Sequence, residues 1–146
     1  MIFAIDFDGT LAEHRFPDIG QEVPGAFSTL KKLQEAGHKL ILWTMRSDLH
    51  APESIGPEGK PADQAFLANA VEWCKQRGIE FWGINENPDQ NWTASPKAYA
   101  NHYIDDMAVG CPLMPASESD RPMVDWEKVE EQLIAVGAIQ DAATTA

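Results

Sequence analysis

Residues 4–14 read AIDFDGTLAEH. The stretch begins as an apolar strand, ends in the two aspartates Asp6 and Asp8, and then turns at Gly9 and Thr10. Carboxylates at the end of a buried strand are costly to desolvate unless they are paired or bind a metal. The rest of the chain should therefore supply a partner for these two acids.

Segments typical of strands and helices alternate along the remainder of the chain. The patterns predict strands over residues 2–5, 39–44, 79–84 and 101–105, and helices over 24–37, over 62–77 and from Asp125 onward. Repeated strand–helix–strand units predict an α/β fold of Rossmann-like type, a three-layer α/β/α sandwich built on a parallel sheet. We expect one domain over residues 1–137 and a frayed tail over 138–146.

Composition and charge restrict the classes of partner. The chain has 146 residues, of which 44% are hydrophobic, so it is long enough to bury one substantial core. Its 23 acids and 11 bases give a net charge of −12, which disfavours broad contact with nucleic acid or anionic membrane. Cys74 and Cys111 are too few for a disulfide scaffold or a zinc site. Without a membrane-length apolar run or a signal-peptide pattern, a cytoplasmic protein is expected.

Polar side chains follow three of the predicted strands at the point where each strand ends. They are Asp6 and Asp8 after the first strand, Thr44 after the second, and Asp105 and Asp106 after the fourth, with Lys97 just before the fourth. Parallel strands end at a common edge of the sheet, and ligand sites lie outside that edge. We therefore expect these groups to converge although they span a hundred residues.

The residue types at this edge indicate a metal and phosphate site. Asp6 and Asp8 point to the same side of an extended chain, so they can flank one reacting group. Several carboxylates near one point repel each other, and a divalent cation removes that repulsion. Ligands that are all oxygen favour Mg²⁺ over zinc. Beside such an ion, one carboxylate can attack a phosphoryl group and the other can transfer protons.

The same residues resemble the four motifs of the haloacid dehalogenase superfamily of Mg²⁺-dependent phosphohydrolases. DFDGTL at residues 6–11 resembles the first motif, and Thr44 in LILWTMR resembles the second. Lys97 in SPKAY is the best match to the third, and YIDDM with Asp105 and Asp106 resembles the fourth. The motifs stand in the family's order over roughly residues 1–110. The short spacings between the motifs leave no room for a cap domain. In this respect the chain resembles the small bacterial members of the superfamily that have none.

This resemblance implies a role for each matching residue. Asp6 would be the nucleophile that forms an aspartyl-phosphate, and Asp8 the general acid and base. Thr44 and Lys97 would hold the phosphoryl oxygens, and Lys97 would also neutralise charge on Asp6. The implied Mg²⁺ ligands are Asp6, the backbone carbonyl of Asp8 and Asp105, with Asp106 either as a further ligand or as a residue that supports the ligands. In having an acid two residues after the nucleophile, the chain is similar to the phosphatases of the superfamily. The resemblance therefore implies hydrolysis of a phosphate monoester.

Five further residues are candidates for contact with the substrate, which we expect to be a small phosphorylated molecule. They are Gly9, Thr10, His14, Arg15 and Arg46. Gly9 permits close approach of a ligand to the backbone, and His14 and Arg15 occupy the position of the family's flap. The polar loop over residues 47–61 is the candidate lid.

Alternatives to a phosphatase stay open at this point. A phospho-receiver domain also uses acids, a threonine and a lysine on a parallel sheet, but its paired acids come on the first strand. A binding module with this fold would bind a phosphorylated ligand without turnover, although no expected catalytic group is missing here. Phosphotransfer to an acceptor other than water would share the first chemical step. Lys60 is a second candidate for the third motif.

Overall fold

The computed structural model describes residues 1–48 and 65–142. Its contacts divide the chain into two compact units, one formed by Met1–Thr44 with Phe81–Ala146 and the other by Met45–Glu80. Among the described residues, the first unit contains every strand and the acids, threonine and lysine that the four motifs predict for the site. The domain limits predicted from the sequence, residues 1–137, stay a prediction.

Four parallel strands form the central sheet of the first unit. They are β1 (Ile2–Ile5), β2 (Lys39–Leu42), β3 (Gly83–Ile84) and β4 (His102–Ile104), in the order β3-β2-β1-β4. Ile5, the last residue of β1, lies opposite Leu42 on one side and Ile104 on the other, so these strands end at one level. The α/β fold with a Rossmann-like parallel sheet, predicted from the alternating pattern, is confirmed.

The helices within residues 1–48 and 65–142 are α1 (Ala26–Glu35), α2 (Phe66–Lys75) and α3 (Trp126–Ala135). In the first unit α1 and α3 contact each other and bury their apolar faces, with Leu30 and Leu33 fully buried on α1. Asp125 caps α3 as predicted, since its side chain accepts a hydrogen bond from the amide of Lys128. No helix within the described ranges has the length and apolar character needed to cross a membrane.

The second unit contains α2, whose first turn is capped from outside the helix. Asp48 Oδ1 accepts hydrogen bonds from the amides of Leu67 and Ala68, both at 3.0 Å. This capping satisfies two of the amides that a helix N-terminus leaves without an intrahelical partner. Ala70 and Cys74 are the buried residues of the helix.

A small antiparallel pair of strands was not predicted. Strands β5 (Leu113–Met114) and β6 (Met123–Val124) have only two residues each, too few for a periodic pattern to reveal. Their position matters because the amide of Val124 donates to the carbonyl of Gly9 at 2.9 Å. This pair therefore braces the turn that follows β1.

The predicted frayed tail begins too early. Ala138 and Ile139 are buried, and the carbonyl of Ala138 accepts a hydrogen bond from Nε2 of His38 at 2.6 Å. Burial of two apolar side chains and a satisfied carbonyl keep this part of the chain packed. The last four residues, 143–146, lie outside the described residues.

Candidate functional site

The chain turns back immediately after β1 and keeps Asp6 at the edge of the sheet. The amide of Asp6 donates to the carbonyl of Ile104 at 2.9 Å, which extends the pairing of β1 with β4 by one residue. The carbonyl of Phe7 then accepts from the amides of residues 10–12. Gly9, with φ of 84°, supplies the left-handed conformation that this turn requires.

Three carboxylates meet at this edge, those of Asp6, Asp105 and Asp106. One oxygen from each lies within 4.8 Å of the other two. Strand register explains the meeting, because Ile5 and Ile104 lie opposite each other and the next residue of each strand is an aspartate. The predicted convergence of the first and fourth motifs is therefore present in the structure.

Burial and like charge raise the pKa of two of these acids. Burial raises the pKa of Asp6 to about 8, with further increases from Asp105 and Asp106 and an opposing hydrogen bond from the hydroxyl of Thr10. The pKa of Asp105 is raised as well, first by burial and then by Asp106, against a hydrogen bond from the amide of Met107. A cation bound among the carboxylates would reverse both shifts.

The residues present fit a hard divalent cation. Asp106 is 8% exposed, and its Oδ1 is buried without a hydrogen-bond partner among the described residues. A buried carboxylate oxygen left without a partner costs about 1–3 kcal/mol or more. With Asp6 and Asp105 it completes a donor set made only of oxygen, which is the chemistry that Mg²⁺ prefers.

Thr10 lies inside the site and holds two of the acids. Its hydroxyl donates to Oδ2 of Asp6 at 2.8 Å and accepts from the amide of Asp106 at 3.2 Å. Its carbonyl accepts from Nε1 of Trp126 at 2.7 Å. The structure corrects the predicted role of Thr10, because the residue is fully buried and offers no exposed atom to a substrate.

His14 and Gly9 pack directly against Asp106. Nε2 of His14 lies 2.7 Å from Oδ2 of Asp106, and both side chains are largely buried. A Cβ atom on Gly9 would lie 2.1 Å from Nε2 of His14 and 2.4 Å from Oδ2 of Asp106. His14 therefore contacts a candidate metal ligand. The predicted approach of a ligand to Gly9 and the predicted substrate contact of His14 stay predictions.

Asp8 and Thr44 lie at the same edge. Asp8 is half-buried and its side chain is not one of the three clustered carboxylates, so its predicted carbonyl ligation and proton transfer stay predictions. Beyond β2, the amide of Trp43 donates to the carbonyl of Ile5 at 2.8 Å, and the amide of Thr44 donates to Oδ1 of Asn85 at 2.8 Å. These two hydrogen bonds hold the backbone of Trp43 and Thr44 at the edge of the sheet, next to the end of β1.

Lys97 does not occupy the predicted position. Its Nζ lies 5.4 Å from the centroid of the Tyr103 ring, and within the described part of the chain no ion pair joins it to the carboxylates. Lys97 is exposed, so its ammonium group stays hydrated while it contacts an aromatic face. The predicted neutralisation of Asp6 by Lys97 is therefore absent from this structure.

The two arginines predicted to contact substrate have different surroundings. Arg15 is exposed and makes no hydrogen bond or ion pair with another described residue. Arg46 is buried within the second unit, where its Nη1 donates to the carbonyl of Phe66 at 3.3 Å. Lys60 and nearly all of the predicted lid fall on residues 49–64, outside the described residues.

Sequence reasoning missed residues that brace the site from a distance. Glu13 is buried, and its Oε1 accepts from the amide and from the hydroxyl of Ser117. Asn85 adopts a positive φ of 54° and accepts from the amide of Thr44. An asparagine after an apolar strand is a weak signal of such a turn, whereas nothing in the sequence pairs Glu13 with a serine 104 positions away.

Comparison with known proteins gives one informative match. No family model and no curated protein matches the chain. A solved structure of a conserved protein from Bacteroides thetaiotaomicron superposes with a TM-score of 0.67 and is 37% identical in sequence. The match covers 94% of this chain and 91% of that one.

Proposed function

We propose that this chain, which belongs to the same family as the conserved Bacteroides thetaiotaomicron protein, is a Mg²⁺-dependent phosphatase that hydrolyses phosphate monoesters. The observation that carries the proposal is the meeting of Asp6, Asp105 and Asp106 at the carboxyl edge of a parallel sheet. Support comes also from the resemblance of the motifs to the haloacid dehalogenase superfamily.

Asp6 is the proposed nucleophile. One of its carboxylate oxygens forms a bond to phosphorus while the bond from phosphorus to the leaving oxygen breaks. The hydroxyl of Thr10 donates to Oδ2 of Asp6 and fixes the rotation of the carboxylate, which leaves Oδ1 as the attacking atom. The product of this step is an aspartyl-phosphate on Asp6 and a free alcohol.

Asp8 is the proposed proton donor and acceptor. It protonates the leaving oxygen in the first step and takes a proton from water in the second, when water attacks phosphorus and releases Asp6. Asp8 follows Asp6 by two positions, in the segment between the end of β1 and the turn at Gly9. Thr44, at the same edge, is the proposed ligand of a phosphoryl oxygen.

The carboxylates of Asp6, Asp105 and Asp106 would hold the ion. Bound Mg²⁺ supplies positive charge that offsets these carboxylates and the phosphoryl oxygens. Without it, Asp6 has a pKa of about 8 and is largely protonated at neutral pH, and a protonated carboxyl is a poor nucleophile. Turnover should therefore depend on the ion at neutral pH.

The decisive experiment measures hydrolysis of an aryl phosphate by the purified protein. We expect turnover with Mg²⁺, none with chelator, and a loss on the order of 10³-fold or more in Asp6→Asn. Asp120→Asn is the matched control, because Asp120 is exposed and distant in sequence from all four motifs. Turnover in Asp6→Asn equal to that of the wild type would remove Asp6 as the nucleophile.

A second measurement separates a phosphatase from a module that binds without turnover. BeF₃⁻ with Mg²⁺ mimics an acyl phosphate, and we expect it to bind the wild type and not Asp6→Asn. Release of inorganic phosphate distinguishes water from another acceptor, since transfer to a second alcohol would yield a phosphorylated product instead. The net charge of −12 favours small phosphorylated molecules as substrates over long nucleic acid.

A further inference from the structure

His14 reaches the metal site from a hairpin that follows the turn at Gly9. Ala12 bridges Glu22 in antiparallel fashion, and the amide of Glu13 donates to the carbonyl of Gln21 at 2.8 Å. These contacts fix the backbone of the two residues that precede His14. The imidazole is only 12% exposed, so its position is set by packing as well as by hydrogen bonding.

Nε2 of His14 lies within hydrogen-bond distance of Oδ2 of Asp106, at 2.7 Å. When Asp106 binds a cation as a carboxylate, its oxygens can only accept, so Nε2 then donates to Oδ2. The amide of Asp106 is held at the same time by the hydroxyl of Thr10. Asp106 is thus fixed at its backbone and at one carboxylate oxygen, which leaves only Oδ1 without a partner among the described residues.

We infer that His14 is a positioning residue that orients the Asp106 carboxylate for binding a divalent cation. The inference rests on the proposed function, since it concerns one of the proposed ligands. Carboxylates that bind metals are usually held by hydrogen bonds from residues behind them, and loss of such a residue lowers metal affinity. Asp105 differs, because the amide that donates to its carboxylate, at 2.9 Å, belongs to the nearby Met107.

Gly9 gives independent support for this role. Any side chain at this position would collide with both members of the pair, since its Cβ would lie 2.1 Å from Nε2 of His14 and 2.4 Å from Oδ2 of Asp106. The turn therefore leaves room for this hydrogen bond and for no larger residue. Gly9 of the first motif and His14 of the hairpin therefore pack against the same carboxylate, that of Asp106.

Titration with Mn²⁺ alone tests the inference, because Mn²⁺ takes the same oxygen ligands as Mg²⁺ and its free form gives an electron paramagnetic resonance signal. No substrate is present, so the readout is affinity and not turnover. We expect His14→Ala to weaken Mn²⁺ binding by about 10–100-fold. His14→Gln, whose amide nitrogen can donate to Oδ2, should recover most of the affinity.

His38→Ala is the matched control, because His38 bonds the amino terminus and the carbonyl of Ala138 and belongs to no part of the site. It should bind Mn²⁺ like the wild type. Circular dichroism verifies the fold of each variant; if His14→Ala does not fold, His14→Leu replaces it as the variant without a donor.

The outcomes separate the inference from the function on which it rests. A wild type that binds no Mn²⁺ would overturn the proposed metal site and this inference with it. A wild type that binds Mn²⁺ no better than His14→Ala would overturn the inference alone. Equal weakening in His14→Ala and His14→Gln would also overturn it, because the donated hydrogen bond would then not be what matters.

Discussion

The hydroxyl of Thr10 lies 2.8 Å from Oδ2 of Asp6 and 3.2 Å from the amide of Asp106, so one buried group joins the ends of two neighbouring strands. It donates to the first acid and accepts from the backbone of the second. Its hydrogen bond is also the interaction that opposes the upward pKa shift of Asp6. Thr10 therefore acts on both the position and the ionisation of the proposed nucleophile.

Thr10→Val should lower the free energy of unfolding by about 1–3 kcal/mol, because the amide of Asp106 would lose its acceptor in a buried place. Urea denaturation measures this change. Thr29→Val is the control, since the hydroxyl of Thr29 is buried without a partner among the described residues and its replacement should be neutral or slightly stabilising. Equal effects in the two variants would contradict the role assigned to Thr10.

Gly9→Ala should be more destabilising than Gly37→Ala. Both glycines have a left-handed φ, 84° and 86°, so an alanine at either position has a backbone strain of about 1–2 kcal/mol. At Gly37 the added Cβ meets no described atom within 4 Å, whereas at Gly9 it collides with His14 and Asp106. We expect a further cost of about 1–3 kcal/mol for Gly9→Ala. Urea denaturation of the pair isolates the collision, and similar costs would argue against it.

The raised pKa of Asp6 determines the sign of a pH effect on the metal-free protein. Asp6 ionises near 3.8 in an unfolded chain and near 8 in the folded one, so between these values the folded state binds more protons. The free energy of unfolding should therefore fall as pH rises, by up to about 1.4 kcal/mol per pH unit from this group. The stabilising contribution of Asp6 is fully present below its unfolded pKa of 3.8, and it is lost as the pH rises above its folded pKa of about 8.

Denaturation of the metal-free wild type and of Asp6→Asn from about pH 5 to about pH 8 checks this prediction. The difference between the two proteins isolates Asp6 from the other acids. Asp6→Asn should show the shallower decline, and Mg²⁺ should stabilise the wild type more at the upper end of the range. Parallel curves for the two proteins would rule out a raised pKa at Asp6.

Lys97→Ala tests the part of the resemblance that the structure does not reproduce. The resemblance predicts that kcat falls on the order of 10²–10³-fold in this variant, the scale for loss of one cationic group that stabilises the transferring phosphoryl. Lys128→Ala, an exposed lysine on α3, is the control and should turn over like the wild type. Unchanged turnover in Lys97→Ala would show that the third motif is misplaced, and Lys60→Ala would then be the variant to measure.

The parts of the site that the sequence predicted are those governed by strand geometry. Asp6 and Asp105 meet because parallel strands end at one edge, and that rule holds whatever lies between them. Apolar runs such as residues 39–42 likewise predict buried strands from composition alone.

The parts that escaped prediction depend on loop conformation. The bonds from His14 to Asp106 and from Ser117 to Glu13 join positions 92 and 104 residues apart, and no periodic pattern encodes such pairs. The position of Lys97 in the chain suggested a contact with Asp6. Its long, exposed side chain does not make that contact in this structure. Strand β3 proved shorter than predicted since the amide of Ile79 is bonded to Cys74 in the turn after α2.

The braces supplied by Val124 and Trp126 have a consequence for the order in which the protein is made. Both donate to the turn after β1, to the carbonyls of Gly9 and Thr10, from positions more than a hundred residues downstream. A ribosome that has released only the first 110 residues has released all four motif segments, yet neither of these donors. On the nascent chain, the turn after β1 should therefore gain these two hydrogen bonds only after residues 124–126 have left the ribosome, later than the four motif segments.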